Sequence, residues 1–226
     1  MGQQARFEVW RGDDTGGELV DFDVEVNEGE VVLDVIHRLQ VTEAGDLAVR
    51  WSCKAGKCGS CSAEIKGRPR LMRMTPMSTL PESEPVTVTP LRTFPVVRDL
   101  VCDVSYKYRK AREIPSFTPP ADLAPGEYRM AQADVGRSQE FRTGIECFLC
   151  QDVCHVVRDH EENKTSYAGP RLFIRAAELD MHPLDSGPTA RTSPATGRAS
   201  ACATSPSAAP RSARHPSRSQ ITRSPR

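Results

Sequence analysis

The pattern of apolar and polar residues alternates along residues 6–26. Because a glycine-rich stretch at residues 13–17 interrupts the alternation, the pattern predicts a β-hairpin. After it, Asn27 and Glu30 have the spacing of a capping box. The apolar residues that follow repeat at helical intervals, at Val32, Val35, Ile36 and Leu39. This second pattern predicts a helix that crosses the sheet.

Short apolar runs predict further strands at residues 47–50, 62–66 and 86–89. A hairpin, a helix and later strands within residues 1–93 suit a small β-grasp domain. After Thr93 the period changes, and a helical stripe is predicted at Val97, Leu100, Val101, Val104 and Tyr108. A proline-rich connection at 115–126 and helices near 128–141, 150–163 and 172–181 follow. The predicted fold class is therefore α+β, with a partial all-α domain over residues 94–185.

The composition changes abruptly after Asp185. Residues 186–226 contain seven Arg and no acidic residue, whereas residues 1–185 carry a net charge of −7 within a chain whose formal net charge is zero. A segment rich in Ser, Ala, Arg and Pro cannot bury enough apolar surface to offset its chain entropy, so a disordered basic tail is predicted. The change falls inside an apparent helical domain, which favours an out-of-frame terminus over an interaction tail.

The charge balance and hydropathy also exclude some function classes. A net charge of zero argues against a chain-wide nucleic-acid role, and no run of about 18 apolar residues predicts a membrane span. The first ten residues lack the order of a secretory signal, so a cytoplasmic protein is expected. In a reducing compartment, closely spaced cysteines are expected to bind metal or an iron-sulfur cluster rather than to form disulfides.

The first cysteine run has the spacing C-x4-C-x2-C, which is typical of plant-type [2Fe-2S] sites, at Cys53, Cys58 and Cys61. Gly56 and Gly59 allow backbone angles that turn amide N–H groups towards the sulfurs. A zinc knuckle fits this spacing poorly. Such a cluster takes four ligands, but no fourth cysteine follows nearby. Cys102 is the next thiol, and its place on the predicted helix indicates a small buried residue.

The second run has the spacing C-x2-C-x3-C, at Cys147, Cys150 and Cys154. The bacterial [4Fe-4S] run is C-x2-C-x2-C-x3-C-P, so Gly144 occupies the place of its first cysteine. One alternative is a zinc site that adds His155 or His160 to the three thiols. Cys202 is isolated in the tail.

Taken together, the chain resembles the iron-sulfur subunit of succinate dehydrogenase and fumarate reductase. The resemblance covers residues 6–185 and rests on C-K-A-G-K-C-G-S-C, R-P-R-L-M, T-P-L-R-T-F-P-V-V-R-D-L-V and E-C-F-L-C-Q-D-V-C-H. It implies a plant-type ferredoxin domain, a bacterial-ferredoxin-like helical domain, and [2Fe-2S], [4Fe-4S] and [3Fe-4S] clusters in line. The implied partners are an FAD-containing flavoprotein and a membrane quinone-binding anchor, at the inner face of the cell membrane.

The resemblance also implies the ligands of each cluster. Cys53, Cys58 and Cys61 match [2Fe-2S] ligands, Cys147 and Cys150 match [4Fe-4S] ligands, and Cys154 matches a [3Fe-4S] ligand. Arg73 stands where the fourth [2Fe-2S] ligand is expected, and the last cysteine run of the family would fall beyond Asp185. These departures suggest a truncated or frame-shifted chain.

Three functions are therefore compared. The first is electron transfer between the flavoprotein and quinone. The second is a non-conducting paralogue that binds the flavoprotein, and the third is a standalone [2Fe-2S] carrier.

Overall fold

The computed structural model describes residues 3–187, and a long antiparallel hairpin opens the fold. Strand β1 (Gln3–Asp13) pairs with β2 (Gly16–Val26), and Phe7 lies opposite Phe22. The alternating sequence pattern thus predicted the hairpin correctly. Of the tail predicted for 186–226, all residues after Gly187 lie outside the described part of the chain, and so does Cys202.

Helix α1 (Val32–Thr42) follows the hairpin, as its apolar periodicity predicts. The predicted capping box at Asn27 closes a turn instead, in which the Asn27 N–H donates to Glu30 at 2.8 Å. The helix begins after Val31, whose N–H donates to the Asp34 carboxylate at 3.4 Å. Asp34 therefore satisfies one of the backbone donors that a helix leaves unpaired at its start.

Five further strands complete a seven-stranded sheet. They are β3 (Ser62–Ile65), β4 (Arg68–Leu71), β5 (Val86–Thr89), β6 (Val96–Arg98) and β7 (Val101–Cys102). The order is β4-β3-β5-β1-β6-β7, with β2 on β1. The pairing of β1 with β5 is parallel and the others are antiparallel. A mixed sheet beside one helix agrees with the predicted α+β class.

Two predicted elements are wrong. Residues 47–50 form no strand, because Ala48 bonds instead to the loop at residues 99–100 through its N–H (2.8 Å to Asp99 Oδ2) and its carbonyl (3.2 Å from the Leu100 N–H). The helix predicted over residues 97–108 consists of β6, β7 and a short α2 (Ser105–Ala111). Asp99 turns the chain with a φ of 47°, and its N–H donates to Gly12 at 2.7 Å. The sheet thus continues beyond residue 93.

The main core lies between α1 and the sheet. Alternate residues of β1 and β5 face the apolar side of the helix, which is the usual consequence of the two-residue strand period. The fully buried members include Phe7, Val9, Val32, Val35, Ile36, Leu39 and Val88. This core holds the start of β3 in place, and Cys61 at its edge is also buried.

The second part of the chain is helical, as expected, but its helices are short. After α2 come α3 (Gln132–Gln139), α4 (Leu149–Asp152), α5 (His155–Arg158) and α6 (Pro170–Asp180), with 3₁₀ segments at Glu140–Thr143 and Glu161–Thr165. The single helix predicted near 150–163 is interrupted at Cys154, whose backbone is extended. Within residues 3–187, no helix is long and apolar enough to cross a membrane.

Candidate iron-sulfur cluster sites

The first cysteine run forms an irregular loop between α1 and β3. Lys54, Gly56 and Gly59 have positive φ values of 50°, 65° and 70°, which curl the backbone around the thiols. The N–H groups of Ala55 and Lys57 lie 3.4 Å and 3.3 Å from the sulfur of Cys53. Backbone donors aimed at sulfur favour the thiolate, which is the form that binds iron. The glycine-rich loop thus takes the shape that its sequence predicts.

The thiols of this loop differ in environment. The backbone N–H groups of Ala55 and Lys57, and then the thiol of Cys58, lower the pKa of the exposed Cys53 to about 6. The Ser60 N–H lies 3.4 Å from the sulfur of Cys58. Burial raises the pKa of Cys61 at the edge of the core. The pKa shifts of Cys53 and Cys61 therefore run in opposite directions, and of these two thiols Cys53 ionises more readily.

The position of the fourth ligand is occupied by a guanidinium group. Arg73 lies in a 3₁₀ turn (Met72–Met74), and its Nη1 donates to both carboxylate oxygens of Asp34, at 3.1 Å and 3.0 Å. Its Nε donates to the Lys54 carbonyl at 2.9 Å. A guanidinium stays protonated and has no lone pair for iron. Arg73 therefore cannot take the role of a fourth ligand at this position.

The second run lies at the start of α4 and α5. Glu146 and Phe148 have positive φ values of 54° and 59°, and burial raises the pKa of the Cys150 thiol. At Gly144, an added Cβ would lie 2.7 Å from the guanidinium carbon of Arg171. Arg171 in turn forms an ion pair with Glu146. Its guanidinium thus occupies the space beside the position of the first cysteine, and the residues present do not fit a four-thiolate [4Fe-4S] site.

The zinc alternative gains no support from the geometry. His155 and His160 are both exposed, and His160 Nδ1 lies 3.2 Å from the carboxylate of Glu162. Across residues 3–187, no three His, Cys, Asp or Glu side chains are grouped to hold one metal ion. This applies to the thiols of both runs. Because a [2Fe-2S] cluster divides its four ligands between two irons, its thiols need not converge on one ion.

The two cysteine runs are in direct contact. A Cβ on Gly59 would lie 2.5 Å from Cα of Cys147, so only glycine allows this approach. The Ser62 hydroxyl oxygen lies between the two loops, 2.9 Å from the Cys147 carbonyl and 2.8 Å from the Gly59 carbonyl, and its single proton is shared between these two acceptors. A cavity of about 90 Å³ beside this contact is lined by Cys58, Cys102 and Cys147, among others. The sequence did not predict that the two runs touch.

Cys102 is buried, as predicted, although in strand β7 rather than in a helix. Its thiol lies 3.7 Å from the carbonyl of Leu91. Burial raises its pKa to about 11. Such a thiol remains protonated, which suits a core residue better than a ligand.

Buried charged residues lie within the helical part and at its contact with the sheet, and the sequence pattern did not identify them. Asp152, between two cysteines of the second run, accepts a hydrogen bond from the Thr93 N–H at 2.8 Å. Burial and then Asp152 raise the pKa of Glu64 to about 7. Lys107, which is 1% exposed, donates to the Ala168 carbonyl at 3.0 Å, and burial lowers its pKa to about 8. Hydropathy places such residues on the surface, so no sequence signal indicates them.

Comparisons with known proteins agree with this architecture. The family model for a 2Fe-2S iron-sulfur cluster binding domain matches residues 6–109. The fumarate reductase iron-sulfur subunit of Mycobacterium tuberculosis is 36% identical over 170 residues, covering 74% of this chain and 66% of that protein. The succinate dehydrogenase (ubiquinone) iron-sulfur subunit 1, mitochondrial, of Oryza sativa subsp. japonica is 28% identical over 178 residues, 75% of this chain and 62% of that protein.

A solved structure is similar over most of the described residues. A chain of the Mycobacterium smegmatis Sdh1 complex in the apo form matches with a TM-score of 0.81 and 75% identity, covering 83% of this chain and 78% of that chain. The chain spans slightly less than two thirds of the length of the two curated relatives. On these similarities, the chain belongs to the family of succinate dehydrogenase and fumarate reductase iron-sulfur subunits.

Proposed function

We propose that this chain is the electron-transfer subunit of a succinate dehydrogenase or fumarate reductase complex, passing electrons between a flavoprotein subunit and quinone. The observation that carries the proposal is the contact of Gly59 and Ser62 with Cys147. It brings the two cysteine runs together across the boundary between the sheet and the helical part. A cluster held by the first run would therefore lie at this boundary, which suits a chain that passes electrons from one partner to another.

The cofactor with the strongest support is a [2Fe-2S] cluster on Cys53, Cys58 and Cys61. When bound, it supplies one-electron redox chemistry. The protein's own contribution is to hold the thiolates with backbone N–H groups and to keep Cys61 at the edge of a dry core. Because a guanidinium has no lone pair for iron, Arg73 cannot supply the fourth ligand of this cluster.

The second run offers a less complete set of cluster ligands than the first. Cys147 and Cys150 are the proposed [4Fe-4S] ligands, and Cys154 is the proposed [3Fe-4S] ligand. Gly144 removes one thiolate from this set, and its neighbour Arg171 is a cation. We therefore assign no step of electron transfer to the second run.

The proposed partners are an FAD-containing flavoprotein and a membrane quinone-binding anchor, with the chain at the inner face of the cell membrane and no nucleic acid involved. The similar chain of known structure comes from an Sdh1 complex. Trp51 and Met74, both exposed, lie beside the first cysteine loop. Exposed large apolar side chains beside a redox site suit a protein interface.

Co-expression with a flavoprotein and an anchor subunit tests this proposal. The purified complex should oxidise succinate and reduce a quinone, and Cys58→Ser should abolish that activity without loss of the complex. The matched control is Cys102→Ser, which changes a thiol outside the ligand set. A complex that assembles but transfers no electrons would contradict the proposal.

A second candidate is a non-conducting paralogue that binds the flavoprotein. Arg73 and Gly144 favour it, because each removes one ligand of a different cluster. The two candidates differ in iron content, since the paralogue would co-purify with the flavoprotein without iron bound to its own chain.

A further inference from the structure

Arg73 connects three separate segments of the first cluster site. Its guanidinium bonds to Asp34 on α1 and to the Lys54 carbonyl within the cysteine loop. Its own backbone N–H, in the 3₁₀ turn, lies against the sulfur of Cys61. One side chain thus fixes the helix, the loop and the turn relative to one another.

The contact on Lys54 matters because the loop is strained there. Lys54 has a φ of 50°, a region that residues other than glycine rarely adopt, and the exposed Cys53 precedes it directly. Such a conformation persists only where the surroundings hold it. The bond from Arg73 Nε to the Lys54 carbonyl provides one such restraint.

The ion pair with Asp34 has the geometry of a specific interaction. Nη1 of Arg73 reaches both carboxylate oxygens, and the two side chains are 32% and 29% exposed. Charge-assisted bonds in partly buried positions are stronger than those of exposed pairs. The pair is therefore a fixed part of the site rather than a mobile surface contact.

We propose that Arg73 is a positioning residue that holds the cysteine loop in its cluster-binding shape in the metal-free protein. It does so where a fourth thiolate would otherwise tie the 3₁₀ turn to the loop through iron. That this loop shape binds a cluster rests on the proposed function. That Arg73 holds the loop in this shape does not. This positioning concerns the full chain without metal.

Hydrogen exchange of the metal-free full chain tests this role. Asp34→Asn removes the charge of the partner but keeps an oxygen for the Val31 N–H. Exchange of the Ala55, Lys57 and Ser60 amides is expected to become about fivefold faster, the size expected for one ion pair of this kind. The matched control is Asp21→Asn, which removes the partner of Arg6 on the hairpin and should leave these amides unchanged.

Substitutions at Arg73 itself complete the test. Arg73→Lys keeps the charge, but its single nitrogen replaces both Nη1, which bonds to Asp34, and Nε, which bonds to the Lys54 carbonyl, so an intermediate rate is expected. In Arg73→Cys, the same loop amides are expected to exchange fast without metal and to regain protection after reconstitution with iron and sulfide. Unchanged loop exchange in Asp34→Asn would overturn the proposal, and so would faster exchange spread equally over β1 and β2. A lack of quinone reductase activity would count against the proposed function alone.

Discussion

Replacing Glu64 with Gln tests the buried contact between the two parts of the chain. Glu64 on β3 is 3% exposed and its Oε2 lies 3.2 Å from Arg92. Oδ2 of Asp152 is buried and has no other hydrogen-bond donor among residues 3–187. Burial, and then the neighbouring Asp152, raise the pKa of Glu64 and so favour the protonated form, which can donate to Asp152. Glutamine offers the same donor at every pH.

The raised pKa of Glu64 determines how the unfolding free energy changes with pH. The pKa of Glu64 rises from 4.5 to about 7 on folding, so between these values the folded chain binds a proton that the unfolded chain has released. The stabilisation is complete below pH 4.5 and is lost as the pH rises through about 7. A shift of this size corresponds to about 3 kcal/mol, at about 1.4 kcal/mol for each pKa unit.

Urea unfolding of the full chain at pH 5 and pH 8 measures this difference. Relative to Glu64→Gln, the wild type should lose about 2 to 3 kcal/mol of unfolding free energy between the two pH values, because pH 5 already lies slightly above the pKa of the unfolded chain. Glu84→Gln is the matched control, because Glu84 is exposed and its pKa is lowered by Lys66 rather than raised. If the wild type and Glu64→Gln keep the same difference at both pH values, Glu64 carries no proton in the folded chain.

Three further predictions concern the core, the loop contact and the spare thiol. Phe7→Ala should lower the unfolding free energy by about 3 to 5 kcal/mol, because Phe7 is fully buried, and a loss below about 1 kcal/mol would contradict the packing described. Gly59→Ala should destabilise the chain more than Gly67→Ala in the same unfolding assay. Both glycines have a φ of 70°, but only Gly59 lies against Cys147, so equal losses would argue against that contact. Cys102→Ser should leave the EPR spectrum of a reconstituted [2Fe-2S] cluster unchanged, whereas an altered spectrum would make Cys102 a ligand and favour a standalone carrier.

The sequence predicts elements well where one local pattern decides them. The alternation through Phe7 and Phe22 and the helical period through Ile36 each bury one face against the same core, so pattern and tertiary structure agree. The segment with Val97 and Val101 is different. Its apolar residues fit a helix, but bonds from Asp99 to the distant Gly12 and Ala48 hold it as two short strands.

The cluster sites were only partly predictable for a related reason. Cysteine spacing locates Cys53, Cys58 and Cys61 in one loop, because loop length alone restricts their separation. The pairing of Arg73 with Asp34 joins residues far apart in sequence, and no local pattern encodes it. No local pattern encodes the pairing of Glu64 with Asp152 either. Both residues are buried, whereas hydropathy assigns charged residues to the surface.

The [2Fe-2S] cluster proposed for the first cysteine run can be tested on the isolated chain. The most direct measurement is low-temperature EPR of the reduced full chain after anaerobic reconstitution, with iron and sulfide quantified in the same sample. We expect a [2Fe-2S] signal that disappears in Cys58→Ser and becomes stronger in Arg73→Cys, which adds the fourth thiolate. A protein that stays colourless and iron-free, both as wild type and as Arg73→Cys, would contradict this expectation.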